Sequence, residues 1–183
     1  TQTVCKNVRM LSYQDTYYSN MQGAVKYFED CEIHGTVDFI CGDGSVYFKN
    51  NLLYCEKRKA AGGGEDCITA NNGIETDKGY VFEGCTIKGN GSYGLIRTYF
   101  DTTIKDCTFD VANVSTTDIY EDGIHAVDGA KVVVEKCKNV NGDMKDIVNV
   151  HGTSVVTIDG KEIKNVAKAG NKYYATFEEA FAA

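Results

Sequence analysis

The amino-acid sequence predicts an all-β fold, a parallel β-helix in which short strands stack as a solenoid, followed by a short C-terminal helix. Three observations predict it. A four-residue unit recurs at intervals of 20 to 34 residues, the segments around it alternate between apolar and polar residues, and helical periodicity is almost absent before residue 170. The 183 residues include 19 glycines and no proline, which suits many strands joined by tight turns.

The repeated unit is an apolar residue, two polar residues and then a cysteine or an asparagine. Stacked in successive coils, its last residue forms an inward ladder at the strand spacing of about 4.8 Å. The longest interval contains KRKAAGGGED (57–66), which we predict to be a loop. The units predict about six or seven coils. They are VCKN at 4, FEDC at 28, FKNN at 48, FEGC at 82, IKDC at 104 and VEKC at 134.

The eight cysteines have two interpretations. The chain contains no CxxC pair and only three histidines, so we expect no metal site. Free cysteine is among the most buried residue types, which favours small buried side chains in the ladder. One or more disulfides, as in secreted proteins, are the alternative.

The overall composition argues against two classes of partner. The net charge of −7 disfavours a surface that binds nucleic acid. No apolar run has the length needed to span a bilayer, so we expect no membrane insertion.

We divide the chain into two parts. Residues 1–166 carry the repeat and form the β-helix. Residues 167–183 differ, because Tyr174, Phe177 and Phe181 recur at helical spacing in a run rich in alanine and glutamate. This segment is either an amphipathic tail that covers the end of the solenoid or the start of a following module.

A carboxylate within an apolar stretch indicates a functional site. In GTVDFICGDG (35–44), Asp38 lies in an apolar run and not in a turn, and an ionised side chain there is costly to bury without a partner. Asp15 lies 23 residues earlier, close to one coil length. Equivalent positions in adjacent coils lie roughly 5 Å apart, so we expect a carboxylate pair in which one member holds a proton and the other is ionised.

Several motifs together resemble the pectin methylesterase family of right-handed parallel β-helices. They follow the family's order from about residue 4 to residue 110. The QDT and GTVDFI elements, one coil apart, are the most specific of them. The motifs are YQDTYY (13–18), YFEDCEIHGTVDFICG (27–42), ITAN (68–71) and GYVFEGCTIKG (79–89).

The resemblance implies roles for individual residues. Asp38 is the nucleophile, Asp15 the general acid and base, and Gln14 a donor to the oxyanion. The family's arginine maps to Arg97 in YGLIRTYF, and Tyr99 takes the place of a tryptophan that lines the sugar groove.

These residue types suit ester hydrolysis without a metal or any other cofactor. Asp38 attacks the methyl-esterified carboxyl group of a galacturonate unit, and Gln14 donates to the developing oxyanion. Asp15 protonates the departing methanol and then activates water, while Arg97 holds Asp38 ionised and aimed. We therefore expect a carbohydrate esterase, secreted or at the cell surface, that acts on methyl-esterified polygalacturonate (pectin). Four aromatic residues are expected to contact the sugar rings, namely Tyr17, Tyr18, Tyr99 and Phe100.

The chain departs from the family's pattern at four points. A second oxyanion glutamine and the family's initial coils are absent upstream of Gln14, so we expect an incomplete N-terminal part, or a neighbouring module or chain that covers that end. The Gly-Arg-Pro-Trp element keeps only its arginine, and ITAN replaces the more usual ITAQ or ITAP. Losing one oxyanion donor costs about 10²- to 10³-fold in rate, so a correct fold with weak or lost activity is one expected outcome.

Other functions remain open. The main alternative is a non-catalytic β-helix module of a secreted or surface protein that binds polysaccharide or spaces other domains. A lyase or galacturonidase is another, although no acidic cluster for calcium is apparent and inverting glycosidases need carboxyls about 6.5 to 9.5 Å apart. His34 is expected on the same face as Asp38, yet we interpret it as a structural or groove-rim residue because no serine or cysteine elbow accompanies it.

Overall fold

The fold is a parallel β-helix, as the sequence predicts. The structure is a computed structural model, and it describes residues 2–56, 68–71, 78–89, 95–110, 123–127, 129–164, 167–169, 172–174 and 176–182. The predicted loop at 57–66 and Cys67 lie outside the described residues.

Three parallel sheets form the walls of the solenoid, and each coil adds one strand to each sheet. The strands are numbered along the chain. Sheet 1 contains β1 (Gln2–Lys6), β4 (Val25–Glu29), β7 (Ser45–Lys49), β10 (Tyr80–Glu83), β13 (Thr102–Lys105), β16 (Lys131–Glu135) and β19 (Val155–Ile158), to which β20 (Lys161–Ile163) adds antiparallel. Sheet 2 contains β2 (Arg9–Leu11), β5 (Glu32–Gly35), β8 (Leu52–Cys55), β11 (Thr86–Gly89), β14 (Thr108–Asp110) and β17 (Lys138–Asn139). Sheet 3 contains β3 (Tyr17–Ser19), β6 (Ile40–Gly42), β9 (Thr69–Asn71), β12 (Ile96–Thr98), β15 (Ile124–Ala126) and β18 (Val148–Val150).

The strand pairings fix the register of the repeated unit. Phe28, Phe48 and Phe82 lie opposite one another in sheet 1, and their rings stack with centroids 5.2 and 5.0 Å apart. In the first coil, Cys5 and not Val4 lies opposite Phe28, so the unit predicted as VCKN at 4 is one residue out of register. The first coil therefore measures 23 residues, which removes the one-residue mismatch with the spacing of the two aspartates.

The last residue of each unit points inward and forms a hydrogen-bonded ladder. Asn51 Oδ1 accepts from the Cys31 N–H at 2.7 Å, and Cys107 Sγ accepts from the Cys85 N–H at 3.3 Å. The seven cysteines in the described part of the chain are free, which agrees with the favoured interpretation. A left-handed residue precedes the ladder position in successive coils, namely Asn7, Asp30, Asn50, Gly84, Asp106 and Lys136.

The interior is mainly apolar on all three walls, although Thr69, Asn71 and Thr98 are buried polar residues of sheet 3, and this decides which residues of sheet 3 face outward. Ile40, Ile96 and Ile124 are completely buried. Because side chains alternate along a strand, the residue that follows each of them points away from the core.

The C-terminal segment forms a small separate sheet and the predicted helix. β21 (Ala167–Ala169) and β22 (Lys172–Tyr174) pair antiparallel, and α1 (Phe177–Phe181) lies against them. Thr176 caps the helix, its Oγ1 accepting from the Glu179 N–H at 3.1 Å. The short C-terminal helix is confirmed, but Tyr174 lies on a strand and outside the helix. The division of the chain at residue 166 stays a prediction. A 3-10 helix, Met144–Ile147, precedes β18.

Candidate active site

The connection between β5 and β6 carries Asp38. β5 ends at Gly35, β6 begins at Ile40, and Asp38 adopts a φ of 45°, so the expectation that it lies in an apolar run and not in a turn is wrong. Phe39 and Ile40 are completely buried, which explains the apolar sequence around the half-buried aspartate. Gly35 is required by packing, because a Cβ there would meet the Phe39 side chain.

Asp15 occupies the equivalent position one coil earlier. A parallel bridge pairs Gln14 with Val37, and β3 pairs with β6 immediately beyond it, so Asp15 lies opposite Asp38. Their backbones are therefore about one strand spacing, 4.8 Å, apart. Asp15 has a φ of 52°, so both aspartates project from the same unusual backbone conformation.

An outer row of side chains runs along sheet 3 beside the two aspartates. One member, Cys41, lies with its Sγ 3.5 Å from Asp15 Oδ1. Burial raises the pKa of the Cys41 thiol to about 12, and the charge of Asp15, the hydrogen bond to it and the charge of Asp38 act in the same direction. The thiol therefore contacts the Asp15 carboxylate, and the charge of Asp38 is close enough to influence it. In register, the outer row is Tyr18, Cys41, Ala70, Arg97, His125 and Asn149.

Arg97 supplies a positive charge on the same row. It lies two strands from Cys41, roughly 10 Å across the sheet. Its Cζ lies 5.2 Å from the centroid of the Tyr99 ring, which is a cation–π contact. Tyr99 is 41% exposed, so an aromatic face and a guanidinium lie together on the site's sheet, two strands from the coil that carries Asp38.

Buried Asn71, the last residue of ITAN, fixes the turn that carries Tyr99. Its Oδ1 accepts from the Tyr99 N–H at 3.0 Å and from Thr98 Oγ1 at 2.8 Å, and its Nδ2 donates to Thr102 Oγ1 at 3.3 Å. Asn71 is 1% exposed. This departure from the family's motif therefore lies beneath the site and organises its backbone.

The other aromatic residues predicted to bind sugar differ in exposure. Tyr18 is on the outer row and 60% exposed, and Phe100 is half-buried in the turn after β12. Tyr17 faces inward, its ring centroid 4.6 Å from that of Phe28, and burial raises its pKa to about 12. Tyr18 and Tyr99 therefore offer the most accessible rings of the four.

His34 lies apart from the carboxylate pair. It belongs to β5 in sheet 2, before the bend at Asp38, so the expectation that both residues share a face is wrong. Its Nδ1 and Nε2 lie 2.8 Å from Oε1 of Glu56 and Oε1 of Glu32, and its ring stacks on Tyr54 with centroids 5.0 Å apart. These contacts support the structural interpretation.

Sequence reasoning does not assign three residues of this region, namely Cys41, Asn71 and His125. For Cys41 a signal exists, because it falls outside the repeated units and so outside the inward ladder. His125 lies next to Arg97 on the outer row and is 3% exposed, but no motif marks it. Burial lowers the pKa of His125 to about 4, and the charges of Arg97 and His151 add to this.

Among the described residues, no three or more histidine, cysteine or acidic side chains are arranged to hold a metal ion. Within the same part of the chain, no helix has the length and apolar character needed to cross a membrane.

Comparisons with known proteins give one consistent family. The sequence profile described as Pectinesterase matches residues 1–106. The chain is 36% identical over 94 residues to Probable pectinesterase/pectinesterase inhibitor 21 of Arabidopsis thaliana, which covers 50% of this chain and 13% of that protein. It is 33% identical over 117 residues to Pectinesterase 31 of Arabidopsis thaliana, covering 55% and 34%. It is 33% identical over 90 residues to Pectinesterase 1 of Olea europaea, covering 48% and 23%. The matches thus span between 13% and 34% of the length of these relatives.

Proposed function

Since the chain belongs to the pectinesterase family, we propose that it is a carbohydrate esterase that hydrolyses the methyl esters of galacturonate units in pectin. The observation that carries the proposal is the placement of Asp15 opposite Asp38 on adjacent coils, at the edge of a sheet whose outer row contains Arg97. Because pectin is a cell-wall polymer, we also propose a secreted or cell-surface location.

The proposed first half-reaction uses Asp38 as the nucleophile. A carboxylate oxygen of Asp38 attacks the ester carbonyl carbon, and the negative charge on the carbonyl oxygen is stabilised by the Gln14 amide. The bond between that carbon and the methoxy oxygen breaks as Asp15 transfers its proton to the methoxy oxygen. Methanol leaves, and the galacturonyl group remains joined to Asp38 as an anhydride.

The second half-reaction restores the enzyme. Asp15, now ionised, takes a proton from water while the water oxygen attacks the galacturonyl carbonyl carbon. The bond to Asp38 breaks, Asp38 leaves as a carboxylate, and the sugar keeps a free carboxyl group. The guanidinium of Arg97 is the proposed charge partner of the Asp38 carboxylate at the start and end of the cycle.

The polymer needs a surface as well as reacting groups. Tyr18 is exposed and follows Asp15 in the same coil, and Tyr99 is exposed after β12, two coils beyond Asp38. We propose that their rings pack against sugar faces, because flat aromatic side chains provide apolar area with a polar edge.

The test is methanol release from highly esterified pectin. We expect Asp38→Asn to lower the rate by at least about 10³-fold, because asparagine tolerates the left-handed backbone but cannot act as the nucleophile. Asp30→Asn is the matched control, since Asp30 has a φ of 53° in the turn between β4 and β5, outside the site. Equal rates for the chain and for Asp38→Asn would contradict the proposal. No release by either protein would favour a non-catalytic module.

A further inference from the structure

We propose that Cys41 is a positioning residue of the esterase, which fixes the orientation of the Asp15 carboxylate by hydrogen-bonding to its Oδ1. The inference rests on the proposed function for its catalytic meaning. Its geometry is independent of that function, because Cys41 Sγ lies 3.5 Å from Asp15 Oδ1 whatever the substrate.

The position of Cys41 within β6 explains why its thiol is available to Asp15. Ile40 and Gly42 flank it and are buried, so Cys41 points outward onto the outer row, where it is half-buried. Gly42 adopts a φ of 99°, and a Cβ there would overlap the Ser19 carbonyl oxygen, so glycine is what allows β6 to approach β3 this closely. The backbone that carries the thiol is therefore held close to the strand that follows Asp15.

In the contact between Cys41 and Asp15, the thiol is the donor and the carboxylate is the acceptor. Sγ–H is a donor and an ionised carboxylate is an acceptor, so the thiol hydrogen occupies Oδ1 of Asp15. The second oxygen, Oδ2, is then the one left to give a proton to methanol and to take one from water. Because a carboxylate without a partner on the surface rotates freely about its terminal torsion, this contact selects a reactive orientation.

The other cysteines give the contrast that makes the role specific. Cys85, Cys107 and Cys137 hydrogen-bond to backbone carbonyl oxygens inside the solenoid, as expected of ladder residues. Cys41 differs in facing a carboxylate side chain, and Asp38 adds a second negative charge to its surroundings. Burial, together with the two carboxylates near it, keeps the thiol protonated, which is the form that can donate.

The first experiment measures thiol reactivity and needs no enzymatic activity. The full chain is treated with iodoacetamide at pH 8, and alkylation of each cysteine is followed by mass spectrometry of its peptides. We expect Asp15→Asn to speed alkylation of Cys41 by at least about threefold, because removing the adjacent negative charge raises the thiolate fraction. Cys137, which is half-buried and distant from Asp15, is the internal control and should keep its rate. An unchanged rate at Cys41 would overturn the proposed contact.

The second experiment tests positioning in the reaction. Cys41→Ala should lower kcat for methanol release by about three- to tenfold with little change in KM, whereas Cys41→Ser, which keeps a donor, should restore most of the rate. Cys5→Ser is the control outside the site. Equal rates for Cys41→Ala and the unchanged enzyme would overturn the positioning role. If the chain releases no methanol, the esterase proposal fails, while the alkylation result still decides whether Cys41 holds Asp15.

Discussion

At the scale of single residues, the two aspartates combine an unfavourable backbone with a functional position. Asp15 and Asp38 have φ angles of 52° and 45°, a region that costs most L-residues about 1 to 2 kcal/mol. Aspartate is one of the few residue types that enters it readily, because its short polar side chain bonds locally. The Asp15 carboxylate lies against Cys41 of the outer row of sheet 3. The strained conformation therefore serves the geometry of the candidate site.

This conformation predicts an order of stability among variants at residue 38. We expect Asp38→Gly to be more stable than Asp38→Ala by about 1 kcal/mol, because glycine accepts a positive φ and alanine does not. Urea unfolding followed by circular dichroism gives both free energies. Neither variant retains a nucleophile, so the comparison is independent of activity. A variant with alanine at least as stable as the glycine variant would contradict the left-handed assignment.

The sequence predicts less at this scale than at larger ones. The apolar neighbours of Asp38 suggest an extended run, but the structure shows that Phe39 and Ile40 are buried on the far side of a bend. Backbone φ is decided by the packing of a whole coil, which no local pattern reports. The same reason hides Cys41 and His125, whose neighbours come from other coils.

At the scale of elements, the coils are held in register by contacts between equivalent residues. The inward ladder consists of cysteines and one asparagine, and the side chains of Asn51, Cys107 and Cys137 each accept from a backbone N–H of the preceding coil. On the outer face of sheet 1, Lys6 Nζ lies 2.6 Å from Glu29 Oε2, and Lys49 Nζ lies 3.7 Å from Glu29 Oε1. Both ion pairs use exposed lysine side chains, which contribute little to stability. We therefore attribute the register of the coils mainly to the buried ladder.

The ladder predicts which substitutions Asn51 tolerates. Asn51 is 1% exposed, accepts from the Cys31 N–H and donates to the Phe28 carbonyl oxygen at 3.1 Å. We expect Asn51→Val to destabilise the fold by about 2 kcal/mol, because it leaves that N–H buried without an acceptor.

Asn51→Cys is the matched variant, and it should lose less stability than Asn51→Val. Cysteine at the equivalent position of a later coil accepts from the Cys85 N–H through its Sγ at 3.3 Å. Thermal unfolding of both variants measures the difference. Equal losses would show that volume, and not the acceptor, decides this position.

At the scale of the whole molecule, the sequence predicts the architecture well and the boundaries less well. The apolar position and the ladder position fall within one four-residue unit that recurs along the sequence, so the repeat reveals sheet 1 and the ladder. The predicted unit of the first coil is misplaced by one residue, because Val4 and Cys5 both suit the apolar position. Only the pairing of Cys5 with Phe28 distinguishes them. The helix is shorter than its periodicity suggests, because Tyr174 pairs within a small sheet before the helix begins.

The solenoid also places a titratable side chain, His125, on the outer row of sheet 3, although no sequence motif predicts it there. His125 is in register with Arg97 on one side and Asn149 on the other, and its ring centroid lies 6.4 Å from that of His151. Burial and the neighbouring positive charges hold its pKa at about 4 in the folded protein, against an ordinary value of 6.5. Between these pH values His125 is protonated in the unfolded chain and neutral in the folded chain.

The whole molecule should therefore lose stability as pH falls from about 6.5 to 4, since the state that binds more protons is favoured by acid. The contribution of His125 is fully present above pH 6.5, and its loss is on the order of 3 kcal/mol. We expect the unfolding free energy of His125→Gln to fall less over this range than that of the unchanged chain, as measured by urea titration at several pH values. Carboxylates common to both proteins cancel in the difference.

The control is Asn149→Ser, a change at a neighbouring residue that does not titrate. It should shift the plot of unfolding free energy against pH without altering its slope. Parallel curves for the unchanged chain and His125→Gln would mean that the imidazole takes up its proton equally well in both states.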